Sequence, residues 1–76
     1  MKITKHEKEN MFSMLETMIQ MLEESKTKEE HSRRYGRVSG AIFILYSQNI
    51  ITNEERKELE TKAATASLKA FRKIFE

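Results

Sequence analysis

Apolar and polar residues alternate with a helical period in three segments of the chain. Within each segment, apolar residues recur at spacings of three and four positions, which places them along one side of an α-helix. The segments cover about residues 5–24, 28–48 and 53–75, with short connections between them. This pattern predicts a single all-α domain over residues 1–76, a three-helix bundle with up-down-up topology. Completion of the bundle by homo-oligomerisation is an open alternative.

A Thr-x-x-Glu motif stands at the start of each segment. The three motifs are Thr4-Lys5-His6-Glu7, Thr27-Lys28-Glu29-Glu30 and Thr52-Asn53-Glu54-Glu55. In a capping box, the Thr hydroxyl accepts from the N–H three residues on, and the Glu carboxylate accepts from the Thr N–H. Two further matches begin at Ser13 and Thr17, but they lie inside the first periodic segment, so we interpret them as accidental. The three threonines predict where the helices begin.

The first helix carries two parallel rows of apolar residues. One row consists of Phe12, Leu15, Ile19 and Leu22, and the other, which we call the methionine seam, consists of Met11, Met14, Met18 and Met21. Together they cover about half of the helix circumference. A single neighbouring helix would cover a narrower stripe than this. The methionine seam therefore packs either on a helix of the same bundle or on a protein partner or second copy, for which flexible methionine side chains are well suited.

The second helix is small on one side and bulky on the other. Ser32, Gly36, Gly40 and Ser47 share one arc, while Tyr35, Val38, Ile42, Leu45 and Tyr46 cluster on the opposite side. Because the end of this helix is apolar nearly all round, we predict that it is the most buried of the three. We also predict a close crossing with the third helix, with Gly40 near Ala63, Gly36 near Ala66 and Ser32 near Ala70. The alternative is that the glycines break the helix into a helix-turn-helix.

Basic residues of the second and third helices are predicted to meet at one end of the bundle. We call this set the basic cluster: Arg33, Arg34, Arg37, Lys69, Arg72 and Lys73. Arginine side chains beside an aromatic residue suit phosphate contact and base stacking. The alternative function is therefore nucleotide or nucleic-acid binding. The competing interpretation is an ordinary solvated face, in which helix dipoles and one-turn Glu–Arg pairs account for the same charges.

Composition narrows the functional classes further. The chain has no Cys and no Asp, and its net charge is +2, from 14 basic and 12 acidic residues. The two histidines, His6 and His31, begin different helices at opposite ends of the predicted bundle, and we expect both to be exposed. We find no metal-ligand spacing, phosphate loop or nucleophile–base pair, so we predict no enzyme, no cofactor and no metal. The longest apolar run, residues 41–46, is too short to span a membrane, and we expect a cytoplasmic protein.

One stretch resembles a known class of proteins. Residues 35–46 form a small-residue apolar helix, and residues 49–55 add an aliphatic connector and a Thr-x-Glu-Glu cap. This helix–connector–helix piece resembles short accessory proteins of phages and other mobile elements. The resemblance implies an accessory or regulatory role and transfers no functional residue. The sequence thus favours a non-enzymatic interaction module, a regulator or inhibitor that docks on a protein partner or on its own copies through the methionine seam.

Overall fold

Threonine caps begin all three helices of the computed structural model, which describes residues 3–76. The helices are α1 (Lys5–Glu23), α2 (Lys28–Ser47) and α3 (Asn53–Phe75), so the all-α prediction is confirmed and the predicted bounds hold to one residue. Thr4 and Thr52 form complete capping boxes. At α2 the Thr27 side chain accepts from the Glu30 N–H, but the Glu30 carboxylate accepts from the N–H of Lys26 at 3.0 Å, so this box is only half formed.

The helices form an elongated bundle of 44 × 19 × 15 Å. Lys8 of α1 contacts Glu55 at the start of α3, and Glu23 of α1 contacts Lys69 near its end, so α1 and α3 run parallel. Arg34, early in α2, contacts the carbonyl of Met21 near the end of α1, so α2 runs antiparallel to both. These contacts confirm the up-down-up topology.

The turn between α2 and α3 uses a feature that the sequence analysis did not identify. Asn49 has a φ of 59°, the left-handed conformation that ends many helices. The Ile50 N–H donates to the Leu45 carbonyl at 2.9 Å, and the Asn49 N–H donates to that of Tyr46 at 3.0 Å, which is a Schellman motif. Ile50 and Leu45 both pack against the core, so the turn is also held by apolar contact.

The core is a narrow column of apolar side chains between the three helices. Its buried members are Leu15, Leu22, Val38, Ile42, Ile51, Leu59, Ala63, Ala66 and Ala70. Only Val38 and Ile42 come from α2, whereas α3 supplies four. The prediction that α2 is the most buried helix is therefore wrong. A helix in a three-helix bundle touches two neighbours, which leaves its remaining apolar positions, such as Phe43 and Ile44, exposed to solvent.

The predicted small-on-small crossing of α2 and α3 is also wrong. Ser32, Gly36 and Gly40 are exposed, and a Cβ built on either glycine would meet no atom within 4 Å. The opposite side of α2 faces the core because burial of Val38 and Ile42 removes more apolar surface from water than a glycine contact would. Val38 and Ile42 share a buried cluster with Ala63 of α3. The helix-turn-helix alternative is wrong as well, since α2 continues without a break through both glycines.

Replacement of Gly36 by alanine is expected to stabilise the protein by about 0.5–1 kcal/mol. Gly36 is exposed within α2, has a negative φ and has open space where a Cβ would lie. Alanine therefore keeps the helical conformation and reduces the conformational freedom of the unfolded chain. Urea denaturation followed by circular dichroism measures the change. A loss of stability would indicate that another backbone packs against this side of α2.

Candidate functional site

The methionine seam lies along the boundary between α1 and α2. Leu15 and Leu22 of the other apolar row are fully buried, with Phe12 and Ile19 packed against the core. The seam lies to one side of that row, which turns it toward α2. Its residues alternate in exposure along the helix: Met11 and Met18 are half-buried, while Met14 and Met21 are exposed. The seam thus packs on α2 with one part of its surface and meets solvent with the other, and its contact with a protein partner stays a prediction.

An open groove of about 280 Å³ follows the seam. Its lining residues are Met11, Met14, Leu15 and Met18 of α1 and Ala41, Ile44 and Leu45 of α2. Every one of these side chains is apolar. Met14 is 61% exposed and Ile44 is 58% exposed, so both rims of the groove present large apolar side chains to solvent. The arrangement suits contact with another apolar surface.

The α2 half of this groove was missed by the sequence analysis. Ala41, Ile44 and Leu45 have the i, i+3, i+4 spacing of one helix face, and Gln48 continues it. That spacing was visible in the sequence. The sequence analysis grouped only Leu45 with the bulky side of the helix and assigned Ala41 and Ile44 to no face. The end of the helix is apolar nearly all round, so hydrophobicity alone does not distinguish the core face from the groove.

Arg34 fixes the other end of the seam. Its Nη1 donates to the Met21 carbonyl oxygen at 2.6 Å, and its Nη2 donates to Glu30 Oε2 at 3.3 Å. The carbonyls in the last turn of a helix have no partner within the helix, so the guanidinium supplies one. Arg34 and Arg37 also line a small cavity of about 30 Å³ together with Met18 and Met21. The apolar groove therefore leads to a basic end.

The basic cluster does not form one shared pocket. Arg34 bonds to α1 from the α2 side, while Lys69 pairs with Glu23 of α1 at 3.3 Å from the α3 side. Lys73 lines a separate cavity with Lys26, Glu24 and Ser25. Arg33, Arg37 and Arg72 are exposed and form no ion pair within residues 3–76. The six residues thus do not converge on one site, and Arg34 and Lys69 are engaged in contacts between helices.

The carboxylates of the three capping motifs accept hydrogen bonds from the backbone. Glu7 accepts from Thr4, Glu30 from Lys26 and Glu55 from Thr52. Hydrogen bonding by the Thr52 N–H, together with the nearby Lys8 ammonium, lowers the pKa of Glu55 below its ordinary 4.5. The Lys26 N–H, followed by the charge of Arg34, lowers the pKa of Glu30. Both carboxylates are favoured in their ionised form by the folded structure.

The protein is expected to lose stability as the pH falls below about 4.5, partly through Glu55. Because the pKa of Glu55 is lower in the folded state, its contribution is fully present above the unfolded pKa and disappears as the carboxylate becomes protonated. Urea denaturation from pH 7 down to pH 3 checks this, with Glu55→Gln compared with Glu54→Gln, a neighbouring exposed carboxylate. Equal pH dependence in the wild type and in Glu55→Gln would contradict the assignment.

His31 is not the exposed residue that the sequence predicts. It is half-buried and forms a 2.8 Å hydrogen bond with the Ser67 hydroxyl of α3. Its ring makes edge contacts with Tyr35 and Phe71, at centroid distances of 6.1 and 6.4 Å. The reason is that its position on α2 lies close to the core face, so His31 joins α2 to α3. His6 is exposed, as expected.

Ser25 is the one polar residue buried in the described part of the chain, and its hydroxyl has no hydrogen-bond partner there.

Within residues 3–76, no three His, Cys, Asp or Glu side chains are grouped as ligands of a metal ion would be. None of the helices over this range combines the length and the apolar character needed to cross a membrane. Comparisons with protein-family models, with curated proteins and with solved structures give no significant match for this chain.

Proposed function

We propose that this protein is a non-enzymatic interaction module that docks an α-helix of another protein chain in the groove between α1 and α2. The observation that carries the proposal is the groove itself, whose seven lining residues are all apolar and whose rims, Met14 and Ile44, are largely exposed. Exposed apolar surface of this kind is typical of interaction sites when it is continuous rather than scattered.

The shape and chemistry of the groove support a helical partner. A groove between two helices accepts the apolar face of an amphipathic helix, with side chains at i, i+3, i+4 and i+7 as anchors. Methionine adapts to the shape of such anchors because its side chain is unbranched and polarizable. Full burial of a Met or Ile side chain contributes about 1.5–3 kcal/mol. Burial of Met14 and Ile44 would therefore offset a substantial part of the entropy lost on association.

A module of this kind would act as a regulator or inhibitor by occupying a surface of its partner. The resemblance of residues 35–55 to accessory proteins of phages and other mobile elements motivates this part of the proposal. A cytoplasmic setting is also part of it, because a chain without cysteine has no disulfide to form.

A photo-crosslinking amino acid in place of Met14 is expected to form covalent adducts with protein in cells that carry this chain. The reason is that position 14 lies on the rim of the groove and contacts whatever occupies it. The same amino acid in place of Leu68 is the matched control, because Leu68 is 50% exposed but lies outside the groove. Denaturing electrophoresis and mass spectrometry identify the adducts.

Ile44→Glu provides the second control, since a charge on the opposite rim should reduce the Met14 adduct by about tenfold, equivalent to about 1.4 kcal/mol. Circular dichroism verifies that the variant remains folded, as expected for an exposed position. Protein adducts of equal yield from positions 14 and 68 would contradict a specific groove. Adducts with nucleic acid alone would contradict the proposed class of partner.

Nucleotide or nucleic-acid binding is the alternative function, supported by the exposed guanidinium groups of Arg33 and Arg37, one helical turn apart on α2. Binding of a single-stranded oligonucleotide, measured over a series of salt concentrations, distinguishes it. Phosphate contacts predict an affinity that falls steeply with salt and weakens in Arg33→Gln and Arg37→Gln. If the protein does not bind the oligonucleotide even at low salt, nucleic-acid binding is excluded.

A further inference from the structure

We infer that Met14 is a redox-sensitive switch of the groove between α1 and α2. A peroxide oxidises its thioether to the sulfoxide and releases the docked helix, and enzymatic reduction of the sulfoxide restores docking. This inference rests on the proposed function and concerns the regulation of the same site.

The sulfur atoms of this chain are concentrated at the groove. The chain has five methionines and no Cys, so thioethers are its only sulfur groups. Met11, Met14 and Met18 line the groove, which places three of the five thioether side chains at the proposed docking site. With no thiol to react first, a peroxide that attacks sulfur acts mainly on this site.

Exposure distinguishes Met14 from the other methionines. Met14 is 61% exposed on the rim of the groove, whereas Met11 and Met18 are half-buried. Met21 is 43% exposed but does not line the groove. An oxidant must reach the sulfur atom, so among the methionines of the groove Met14 is expected to be oxidised first.

The oxidation transfers one oxygen atom to the side chain. The O–O bond of hydrogen peroxide breaks, an S–O bond forms on Met14, and the other peroxide oxygen leaves as water. The sulfur loses two electrons, and the peroxide gains them. A flexible apolar side chain thereby becomes a polar one whose oxygen accepts hydrogen bonds.

The apolar lining of the groove makes this change unfavourable for docking. The seven lining side chains carry no N–H or O–H group that could donate to a sulfoxide oxygen. In the free protein that oxygen is hydrated, but an apolar helix face laid on the rim removes the water. A polar group buried without a hydrogen bond weakens association, here by about tenfold. Oxidation therefore acts on the docked state and leaves the free state almost unaffected.

The fold does not depend on Met14. Its side chain belongs neither to the buried core nor to the partly buried residues packed against it, whereas Met18 is one of the latter. Oxidation of Met14 should thus preserve the stability of the bundle, and oxidation of Met18 should reduce it. Reversible regulation requires the first behaviour, because an unfolded chain is not restored by reduction of a sulfoxide alone.

Limited treatment of the full chain with hydrogen peroxide, followed by peptide mapping with mass spectrometry, tests the order of oxidation. Met14 should be converted before Met11 and Met18, and circular dichroism should show an unchanged helical signal at that stage. Met1 is present in every sample and affects all of them equally.

Docking is measured with a photo-crosslinking amino acid in place of Ile44, on the opposite rim, so that Met14 is retained. The purified chain is oxidised, freed of peroxide with catalase and irradiated in a desalted extract of cells that carry it. Oxidation should reduce the yield of protein adducts by about tenfold. Treatment with methionine sulfoxide reductases for both sulfoxide epimers should restore the yield.

Met14→Leu and Met21→Leu, each combined with the crosslinker at position 44, are the matched pair. Leucine is apolar, similar in volume to methionine and inert to peroxide. For each variant the adduct yield after oxidation is compared with its own yield before. Met14→Leu should show no change, while Met21→Leu should retain the roughly tenfold loss of the unsubstituted chain.

Four results would overturn the inference: oxidation of Met11 or Met18 ahead of Met14, an adduct yield insensitive to oxidation of Met14, an equal loss in Met14→Leu, or a loss that the reductases do not reverse. The proposed function fails separately. If the unoxidised chain forms no protein adduct from position 44 or position 14, docking in the groove is excluded and the switch with it. Adducts that persist after complete oxidation of Met14 exclude the switch alone.

Discussion

Replacement of Ile42 by alanine is expected to lower the free energy of unfolding by about 2–5 kcal/mol. Ile42 is 1% exposed and lies in the core cluster with Leu15, Val38 and Leu59, so truncation removes buried apolar surface and leaves a cavity. A single core in a domain of this size supplies only about 3–5 kcal/mol. The variant should therefore be partly unfolded in water. Urea denaturation followed by circular dichroism gives the midpoint and the free energy.

Ile44→Ala is the matched control for this prediction. The same side chain is removed from the same helix two residues later, but Ile44 is 58% exposed. Its truncation should change stability by less than about 0.5 kcal/mol when measured on the monomer. Equal losses from both variants would mean that the face of α2 that packs on the core is incorrectly assigned.

Replacement of Ala70 by leucine has the second largest expected effect, a destabilisation of about 1–3 kcal/mol. Ala70 is fully buried on α3, so the added atoms must displace neighbouring side chains or the helix itself. Ala64→Leu, at an exposed position of the same helix, is the control and should change stability by less than about 0.5 kcal/mol.

Thermal and urea denaturation of the two leucine variants measure this difference. The prediction also separates two explanations of the alanine stripe. If the stripe faced the glycines of α2, a double variant with bulkier residues on both helices would be far worse than either single change. In the structure, Gly36 has open space around it, so Gly36→Ala and Ala70→Leu should be additive. Strong coupling between them would contradict the packing described here.

Helix positions were predictable because they depend on local chemistry. Thr4, Thr27 and Thr52 satisfy backbone N–H groups within a few residues, and the apolar period that follows each threonine is visible in the sequence. The way in which helices face one another depends on competition between faces of the same helix. On α2 the glycine side and the side with Val38 and Ile42 both had a plausible partner on α3. Burial of larger side chains decided the outcome, and no local pattern records that competition.

The candidate site shows the same division. The methionine seam was identified from its spacing on α1, because four of the five methionines share it. Its location beside Ala41, Ile44 and Leu45 required the tertiary fold, which also separated the basic cluster into residues that join helices and residues that face solvent. Arg34 is the clearest case. Its bond to the Met21 carbonyl links positions 13 residues apart, and no spacing rule predicts it.

Three contacts hold α1 against rotation about its own axis. Two of them join α1 to α3: Lys8 pairs with Glu55 at one end of α1, and Glu23 pairs with Lys69 at the other. The third joins α1 to α2, where Arg34 donates to the Met21 carbonyl. Each contact contributes modestly, but they act on different sides of the helix and oppose its roll in either direction. The methionine side chains can then change rotamer while the helix that carries them keeps its orientation. Docking on α1 would order side chains and leave the backbone as it is, which keeps the entropy lost on association small.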